Sequence, residues 1–247
     1  NALTECHCQK KFLEIQNIVR NNYLEVLGNG SICGVDNRRF KPNKFYREKI
    51  RSKYLIPDNN FLVLYLGRLN KDKGVYDLFA ASHNILNKFD NIHFMFVGPD
   101  EENIKNKIYN NSKYRDKIHF VNFTDKPEEY MAAADLFCLP SYREGFGMAA
   151  VEAGSCGLPV ITSRIYGLTD AVEEGVTGLM HEPGDVNEIS RLILKIYSDH
   201  NLSSKMGKNG RVRAINLYNY DQVSNHLFSH VSSIISHVFS PKKKIAI

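Results

Sequence analysis

Short, continuous apolar runs separated by amphipathic stretches constrain the fold of this chain more than any other feature. Two of them, Phe61-Leu-Val-Leu-Tyr-Leu66 and Ile92-His-Phe-Met-Phe-Val97, have the length of a strand and no regular polar alternation. A strand has this composition when helices cover both faces of a parallel sheet. Between the two runs, apolar residues recur at helical spacing, namely Val75, Leu78, Phe79, Leu86 and Phe89. This order predicts a βαβ unit.

The same alternation continues towards the C-terminus. Further strands are predicted at 117–121, 136–139, 159–162 and 178–180, and further helices follow at 127–134 and from the glycines near 145. Asp185 and Glu188 have the spacing of a capping box ahead of another amphipathic helix. We therefore predict an α/β fold with a doubly wound parallel sheet.

Two carboxylates eight positions apart, Glu144 and Glu152, flank the start of one predicted helix. The helix opens on Gly145 and Gly147, and glycines there let a ligand approach unpaired backbone N–H groups. Those groups and the helix dipole favour a phosphate or polarise sugar hydroxyls. Taken alone, the spacing also fits a structural interpretation in which Glu144 caps the helix and Glu152 faces solvent.

Longer motifs around these residues resemble a known family. The segment Ser141-Tyr-Arg-Glu-Gly-Phe-Gly-Met-Ala-Ala-Val-Glu152, continued by Ala153-Gly-Ser-Cys-Gly-Leu-Pro-Val160, resembles the signature of glycosyltransferase family 4. Tyr65-Leu-Gly-Arg-Leu-Asn-Lys-Asp-Lys-Gly74 resembles the diphosphate-binding loop of the same family. The resemblance spans residues from about 26 to 238 in family order. It implies the Rossmann-like C-terminal domain of a GT-B glycosyltransferase.

The resemblance also implies an activity and roles for single residues. The activity would be retaining transfer of a hexose from a nucleotide diphosphate, by default a UDP-sugar, to a saccharide or polyprenyl-linked acceptor in bacterial surface-glycan synthesis. Glu152 would bind the ribose hydroxyls and Glu144 the donor sugar, while Asn122 and Phe123 would lie near the base. Backbone N–H groups would surround sugar and phosphate at Gly145, Phe146, Gly147 and Met148.

Charge that develops on the leaving diphosphate requires a cation nearby. Arg68 and Lys73 follow the first predicted strand, and the planar fork of arginine and the compact charge of lysine both suit phosphate oxygens. Together with Glu144 they form the predicted catalytic set, and we expect neither a metal nor a cofactor. Since Gly98 and Asn122 also follow predicted strands, all five residues should meet in one crevice. A basic loop of this kind is otherwise more often plain surface.

Two other functions stay open on the sequence alone. A GT-B-like phosphorylase or a nucleotide-sugar epimerase would use a similar fold, although no lysine pocket for pyridoxal phosphate is identifiable. A non-catalytic nucleotide-sugar-binding module is the other, and the loss of Arg68, Lys73, Glu144 or Glu152 would have favoured it. All four residues are present.

Three regions are predicted along the chain. Residues 1–35 are interpreted as the remnant of an N-terminal acceptor domain with its linker, 36–220 as the donor-binding domain, and 221–247 as a cross-over helix with a basic tail. The sequence begins without methionine and lacks the glycine-rich opening strand of a first domain, so we expect a C-terminal part that transfers no sugar alone. A helix is predicted within 4–20, and the last helix should present an apolar stripe that consists of Val223, Leu227, Val231, Ile235 and Val238.

Composition limits the partners and the compartment. The net charge of +5 fits a phosphate-bearing ligand, whereas no aromatic-basic motif of a nucleic-acid-binding protein is present, so no nucleic acid partner is predicted. The odd number of five cysteines fits reduced thiols in the cytoplasm. The Cys6-His7-Cys8 segment has no second ligand pair at zinc spacing. Peripheral contact with the inner face of the cell membrane is a further expectation.

Overall fold

The computed structural model describes residues 2–20, 23–31, 33–109 and 113–239. The predicted basic tail and the side chain of Val238 lie outside the described part of the chain. The strands are β1 (Ala2–Leu3), β2 (Leu24–Glu25), β3 (Phe61–Leu66), β4 (Ile92–Val97), β5 (Ile118–Val121), β6 (Leu136–Leu139), β7 (Val160–Ser163) and β8 (Gly178–His181). The helices are α1 (His7–Ile15), α2 (Lys44–Lys53), α3 (Val75–Leu86), α4 (Pro127–Ala133), α5 (Met148–Ser155), α6 (Leu168–Ala171), α7 (Val186–Ser198), α8 (His200–Leu217) and α9 (Tyr220–Phe239).

Six parallel strands form the main sheet, in the order β5-β4-β3-β6-β7-β8. β3 and β4 pair along their full length, from Phe61 opposite Ile92 to Leu66 opposite Val97. The chain leaves β3 in one direction along the sheet and returns to its other side at β6, so the strand order reverses between β3 and β6. The doubly wound parallel sheet is therefore confirmed, and its switch point lies between the loops that follow these two strands.

The continuous apolar runs are explained by burial on both faces of the sheet. All of β4 is buried, as are Leu62 to Tyr65 of β3. The flanking helices pack in pairs, α3 against α7, α5 against α8 and α2 against α4. Each fully buried leucine or valine contributes about 1.5–3 kcal/mol through removal of apolar surface from water. The sheet is thus a stable platform for the loops at its carboxyl edge.

Helices α2 and α8 have no counterpart among the predicted elements, because neither carries an apolar stripe. In α2 the side chain of Arg51 is only 1% exposed, and it donates to Ala133 O (3.0 Å) and forms an ion pair with Asp135 (3.2 Å). In α8, Gly210 packs against Gly154 of α5, where an added Cβ would lie 3.2 Å from Gly154 Cα. Because α2 is held by the polar contacts of Arg51 and α8 by a glycine contact, neither helix shows a periodic pattern of apolar residues in the sequence.

The segments outside the main sheet pack on one another. β1 and β2 pair in parallel, and α1 occupies only His7–Ile15 of the predicted 4–20 stretch. The chain at Val35 runs beside the start of α9, where Val35 N donates to Tyr218 O (2.6 Å) and Tyr220 N donates to Val35 O (2.9 Å). In the part of the chain that the structure describes, no helix is both long and apolar enough to cross a bilayer.

The predicted apolar stripe of α9 is covered along half of its length. Val223 and Leu227 line a small cavity together with Leu3 and Leu27. Further along the helix, Val231 is 44% and Ile235 52% exposed. In the first half of the stripe Val223 is therefore buried and Leu227 partly buried, whereas the second half is an apolar surface.

Candidate functional site

A cavity of about 410 Å³ opens at the carboxyl edge of the sheet, at the switch point. The loop after β3 contributes three charged side chains, the loop after β6 contributes three residues, and α1 and the loop after β7 contribute one residue each. The lining residues are Gln9, Arg68, Asp72, Lys73, Arg143, Glu144, Gly145 and Tyr166. The structure thus brings together four of the predicted site residues, Arg68, Lys73, Glu144 and Gly145.

Hydrogen bonds within the loop after β3 hold the backbone at Arg68 and Lys73. The buried Tyr65 hydroxyl donates to Arg68 O (2.7 Å), and Asn70 Oδ1 accepts from Lys73 N (3.1 Å). Gly74 then adopts a left-handed conformation (φ +68°), and a Cβ there would lie 2.0 Å from Pro140 O. Only glycine permits this approach, which places Lys73 against the loop that follows β6.

Lys73 and Glu144 form an ion pair between the two loops. The Nζ–Oε1 distance is 2.7 Å, and each side chain is only 16% exposed. Glu144 also accepts from Ser141 Oγ (3.0 Å), while Lys73 Nζ donates to Arg143 O (3.0 Å). Such charge-assisted bonds in a partly desolvated site orient both groups towards the cavity wall.

Helix α5 begins beside this pair without a side-chain cap. Its N-cap is Gly147 in the left-handed conformation (φ +74°), and no side chain accepts from its first turn. The alternative in which Glu144 caps the helix is therefore wrong, because its carboxylate bonds Lys73 and Ser141 instead. The first N–H groups of α5 remain available to an anion.

Glu152 lies in the middle of α5, eight residues after Glu144. Its side chain is half-buried rather than exposed, which contradicts the alternative of a Glu152 that faces open solvent. Burial raises the pKa of its carboxyl to about 7, the positive charge of Arg39 acts in the opposite direction, and the negative charge of Glu128 raises it further. A carboxyl group with this pKa exists in both protonation states near neutral pH.

Gly98, Asn122 and Phe123 do not join the cavity. Gly98 is buried (φ +148°), and a Cβ there would lie 1.9 Å from Gly67 O, so this glycine permits close packing of the loops after β3 and β4. Asn122 and Phe123 are exposed on the loop after β5, with 75% of Phe123 accessible. The prediction that all strand-end residues share one crevice therefore holds for the loops after β3 and β6 only.

The remaining predicted positions support the start of α5. Phe146 is buried and contacts Tyr218 edge to face, with ring centroids 5.3 Å apart. Gly147 is also buried, and Met148 Sδ lies 3.1 Å from Ser31 Oγ. Their predicted contacts with sugar and phosphate through backbone N–H groups stay a prediction.

Sequence reasoning missed the contribution of α1 to the cavity. Gln9 lines it, and Phe12 stacks on Tyr166 with ring centroids 4.7 Å apart. The Glu5 carboxylate lies so near Gly145 that a Cβ there would be 2.2 Å from Glu5 Oε2. Glu5, Gln9 and Phe12 are more than 130 positions from Gly145 in the chain, and no motif connects them to it.

The Cys6-His7-Cys8 segment takes part in protein contacts. Cys6 Sγ lies 3.7 Å from Gly145 O, and Cys8 Sγ lies 3.1 Å from an oxygen of Asp170, which also accepts from Cys8 N (2.9 Å). Burial raises the pKa of the Cys6 thiol to about 11, which opposes the thiolate form that a metal requires. Within the described ranges no cluster of three or more histidine, cysteine or acidic side chains is suited to hold a metal ion.

The model of one protein family, described as glycosyl transferases group 1, matches residues 46–213. The match contains β3 to β8, both loops of the Lys73–Glu144 pair and most of α8. The chain belongs to this family.

Similar proteins of this group include two bacterial enzymes. The capsular polysaccharide biosynthesis glycosyltransferase CapM of Staphylococcus aureus is 29% identical over 222 residues, which are 89% of this chain and 58% of that protein. The O-antigen biosynthesis glycosyltransferase WclY of Escherichia coli is 30% identical over 213 residues, which cover 80% and 55%. The chain therefore spans a little over half the length of these relatives.

The fold of this group 1 chain is also found in solved structures. Anabaena Alr3699/HepE in complex with UDP-glucose superposes with a TM-score of 0.82 at 24% identity, over 94% of this chain and 63% of that one. This likeness concerns the fold, and the Rossmann-like α/β architecture predicted for the main sheet and its helices is confirmed.

Proposed function

We propose that this chain is the donor-binding part of a retaining hexosyltransferase of polysaccharide biosynthesis, with a UDP-sugar as donor. The observation that carries the proposal is the Lys73–Glu144 pair (2.7 Å) in an open cavity at the switch point. One side chain can neutralise a leaving phosphate and the other can accept sugar hydroxyls. The capsular and O-antigen biosynthesis roles of the relatives support the same pathway class.

In the proposed arrangement the diphosphate lies between Arg68, Lys73 and the start of α5. The Arg68 side chain is mostly exposed, and among the described residues its guanidinium is bonded only to Glu101 (3.3 Å), so it can turn to the phosphates at little energetic cost. Lys73 is already in place. The two cations stabilise the negative charge that grows on the leaving oxygen, and they do so without a divalent metal.

Glu144 and Glu152 divide the recognition of the donor. Glu144 accepts hydrogen bonds from hydroxyls of the sugar. Glu152, within α5, accepts hydrogen bonds from the ribose hydroxyls. Asn122 and Phe123 are proposed to lie near the base, and an exposed phenylalanine offers a face for stacking. Backbone N–H groups at Gly145, Phe146, Gly147 and Met148 complete the donor contacts. Retention is supported by the family 4 resemblance, which places leaving group and acceptor on one face of the sugar.

A further domain is proposed to supply the acceptor site. The apolar surface of α9, with Val231 and Ile235 about half exposed, needs a covering partner. Residues 1–35 and 221–247 would contact that domain, and a saccharide or polyprenyl-linked acceptor would enter between the two domains, close to the inner face of the membrane. Proximity of acceptor and anomeric carbon contributes many kcal/mol to catalysis, so residues 1–247 alone should transfer no sugar.

Isothermal titration calorimetry with UDP tests this proposal. We expect residues 1–247 to bind UDP with the same affinity in EDTA and in Mg²⁺, and to form no product from UDP-glucose and added acceptor saccharides. Absence of UDP binding in both buffers contradicts the donor site. Efficient transfer by residues 1–247 contradicts the proposed place of the acceptor site.

A further inference from the structure

Residues 36–40, the segment in front of α2 that we call the linker, are bonded to the helix that carries Glu152. Asn37 Nδ2 donates to Ser155 Oγ (2.8 Å), and Ser155 Oγ donates to Phe40 O (2.6 Å). Ser155 is fully buried, and it is three residues from Glu152, so both lie on neighbouring positions of one helix face. Glu152 therefore lies on the side of α5 that is turned to linker residues 36–40.

Arg39 extends from this linker to the loop after β5. Its Nε donates to Glu128 Oε2 (2.9 Å), and its Nη2 lies 2.8 Å from the same oxygen. Nη2 also donates to Asp125 O (2.5 Å). One guanidinium thus fixes the segment 122–128, which carries the exposed Phe123, relative to the linker and α5.

The charges around Glu152 come from three elements. Arg39 of the linker is the cation that acts on the Glu152 carboxyl, and Glu128 of α4 is the anion. At the end of α5, the Cys156 thiol has its pKa raised to about 12 by burial, so it is neutral near pH 7. Arg211 of α8 donates to Ser155 O (2.5 Å). Among the described residues, Arg39 is therefore the charge that favours an ionised Glu152.

We propose that Arg39 is a positioning residue of the nucleotide site, which holds Glu152 as an ionised acceptor and keeps the 122–128 segment beside it. This inference rests on the proposed function, because it takes Glu152 as a ligand of the nucleotide. Arg39 lies outside the matched family region of 46–213. It acts on the nucleotide through Glu152 and the 122–128 segment.

The physical basis is the strength of a charged acceptor. A carboxylate binds hydroxyl donors about twice as strongly as a neutral carboxyl does. Because burial raises the pKa of Glu152 to about 7, the ionised fraction at neutral pH depends on Arg39. Loss of the guanidinium raises this pKa further, and the acceptor is then mostly protonated at pH 7.

The test is calorimetric titration of UDP-glucose into residues 1–247 between pH 5.5 and 8.5. UDP-glucose suits this range because its diphosphate diester does not titrate there. We expect wild-type affinity to rise with a midpoint near pH 7, and Arg39→Gln to bind ~5–10-fold more weakly at pH 7 with partial recovery by pH 8.5. The affinity of Glu152→Gln for UDP-glucose should not rise with pH.

Arg38→Gln is the matched control, because Arg38 is adjacent in the linker, its side chain is 83% exposed, and its partner is Asp36 at 3.5 Å. Its affinity for UDP-glucose should equal that of the wild type at every pH. If Arg39→Gln also follows the wild type, or is weaker by the same factor at every pH, the proposed link to Glu152 is wrong. Absence of UDP-glucose binding by the wild type would instead contradict the proposed donor site.

A measurement without ligand tests the same link independently. The folded pKa of Glu152 lies above its usual value of 4.5, so its contribution to stability is complete below pH 4.5 and is lost as pH rises through about 7. In urea unfolding, the free energy of unfolding of the wild type should therefore stop falling above this pH. That of Arg39→Gln should continue to fall towards pH 9. Identical curves for Arg39→Gln and Arg38→Gln would overturn the inference.

Discussion

Lys73 joins the two loops that face each other across the cavity. Its Nζ bonds Glu144 (2.7 Å) and Arg143 O (3.0 Å), and the side chain is mostly buried. Lys73→Ala should weaken UDP binding ~10-fold or more, since a charge-assisted phosphate contact contributes about 1.5–3 kcal/mol. Lys71→Ala removes an exposed lysine from the same loop and is the control. Equal UDP affinities of the two variants in calorimetry would show that Lys73 only joins the loops.

The two glutamates should differ when they are changed one at a time. Glu152→Ala removes a proposed ribose ligand and should weaken UDP itself. Glu144→Ala removes a proposed sugar ligand, so it should leave UDP affinity within about threefold and lower turnover in the full-length enzyme. Glu182→Ala, at an exposed carboxylate on the loop after β8, controls for charge. Similar losses of UDP affinity in the Glu144 and Glu152 variants would contradict the division of roles.

At the scale of elements, the start of α3 determines how closely the two cavity loops approach. Gly74 and Gly175 both have left-handed backbones, but a Cβ on Gly74 meets Pro140 O at 2.0 Å whereas one on Gly175 meets nothing within 4 Å. Gly175→Ala should therefore cost only the conformational penalty of about 1–2 kcal/mol. Gly74→Ala should cost a further ~1–3 kcal/mol, because the loops must separate. Urea unfolding of both variants measures the difference, and equal losses would contradict this account.

At the scale of the whole molecule, the uncovered half of the α9 stripe should make residues 1–247 associate. Ile235 and Phe228 are exposed large apolar side chains on this helix, and such patches favour contact with another apolar surface. Ile235→Ser with Phe228→Ser should lower self-association in sedimentation experiments and leave UDP affinity unchanged. Val212→Ser, at an exposed position of α8, is the control. If the double variant self-associates as strongly as the wild type, another surface of the molecule is responsible for self-association.

Most of the sheet was predictable because burial on two faces leaves a direct record in sequence. β3 is an unbroken apolar run, β4 is interrupted only by His93, and both strands have the bounds that were predicted. Asp185 indeed caps α7, with its Oδ1 accepting from Glu188 N (2.9 Å). The helices α2 and α8 were not predictable in this way. A buried arginine and a glycine contact stabilise them, and neither produces a hydrophobic period.

The sequence by itself determined which strand-end loops carry the candidate site residues. Arg68, Lys73 and Glu144 follow buried strands and lie in motifs of fixed local spacing. Only the tertiary structure decided which of these residues touch, and which distant ones join them. The ion pair of Lys73 with Glu144 and the bonds of Arg39 to the loop after β5 each connect segments more than 70 positions apart. The physical reason is that local propensity acts over a few residues, whereas such contacts depend on how the whole sheet and its helices pack.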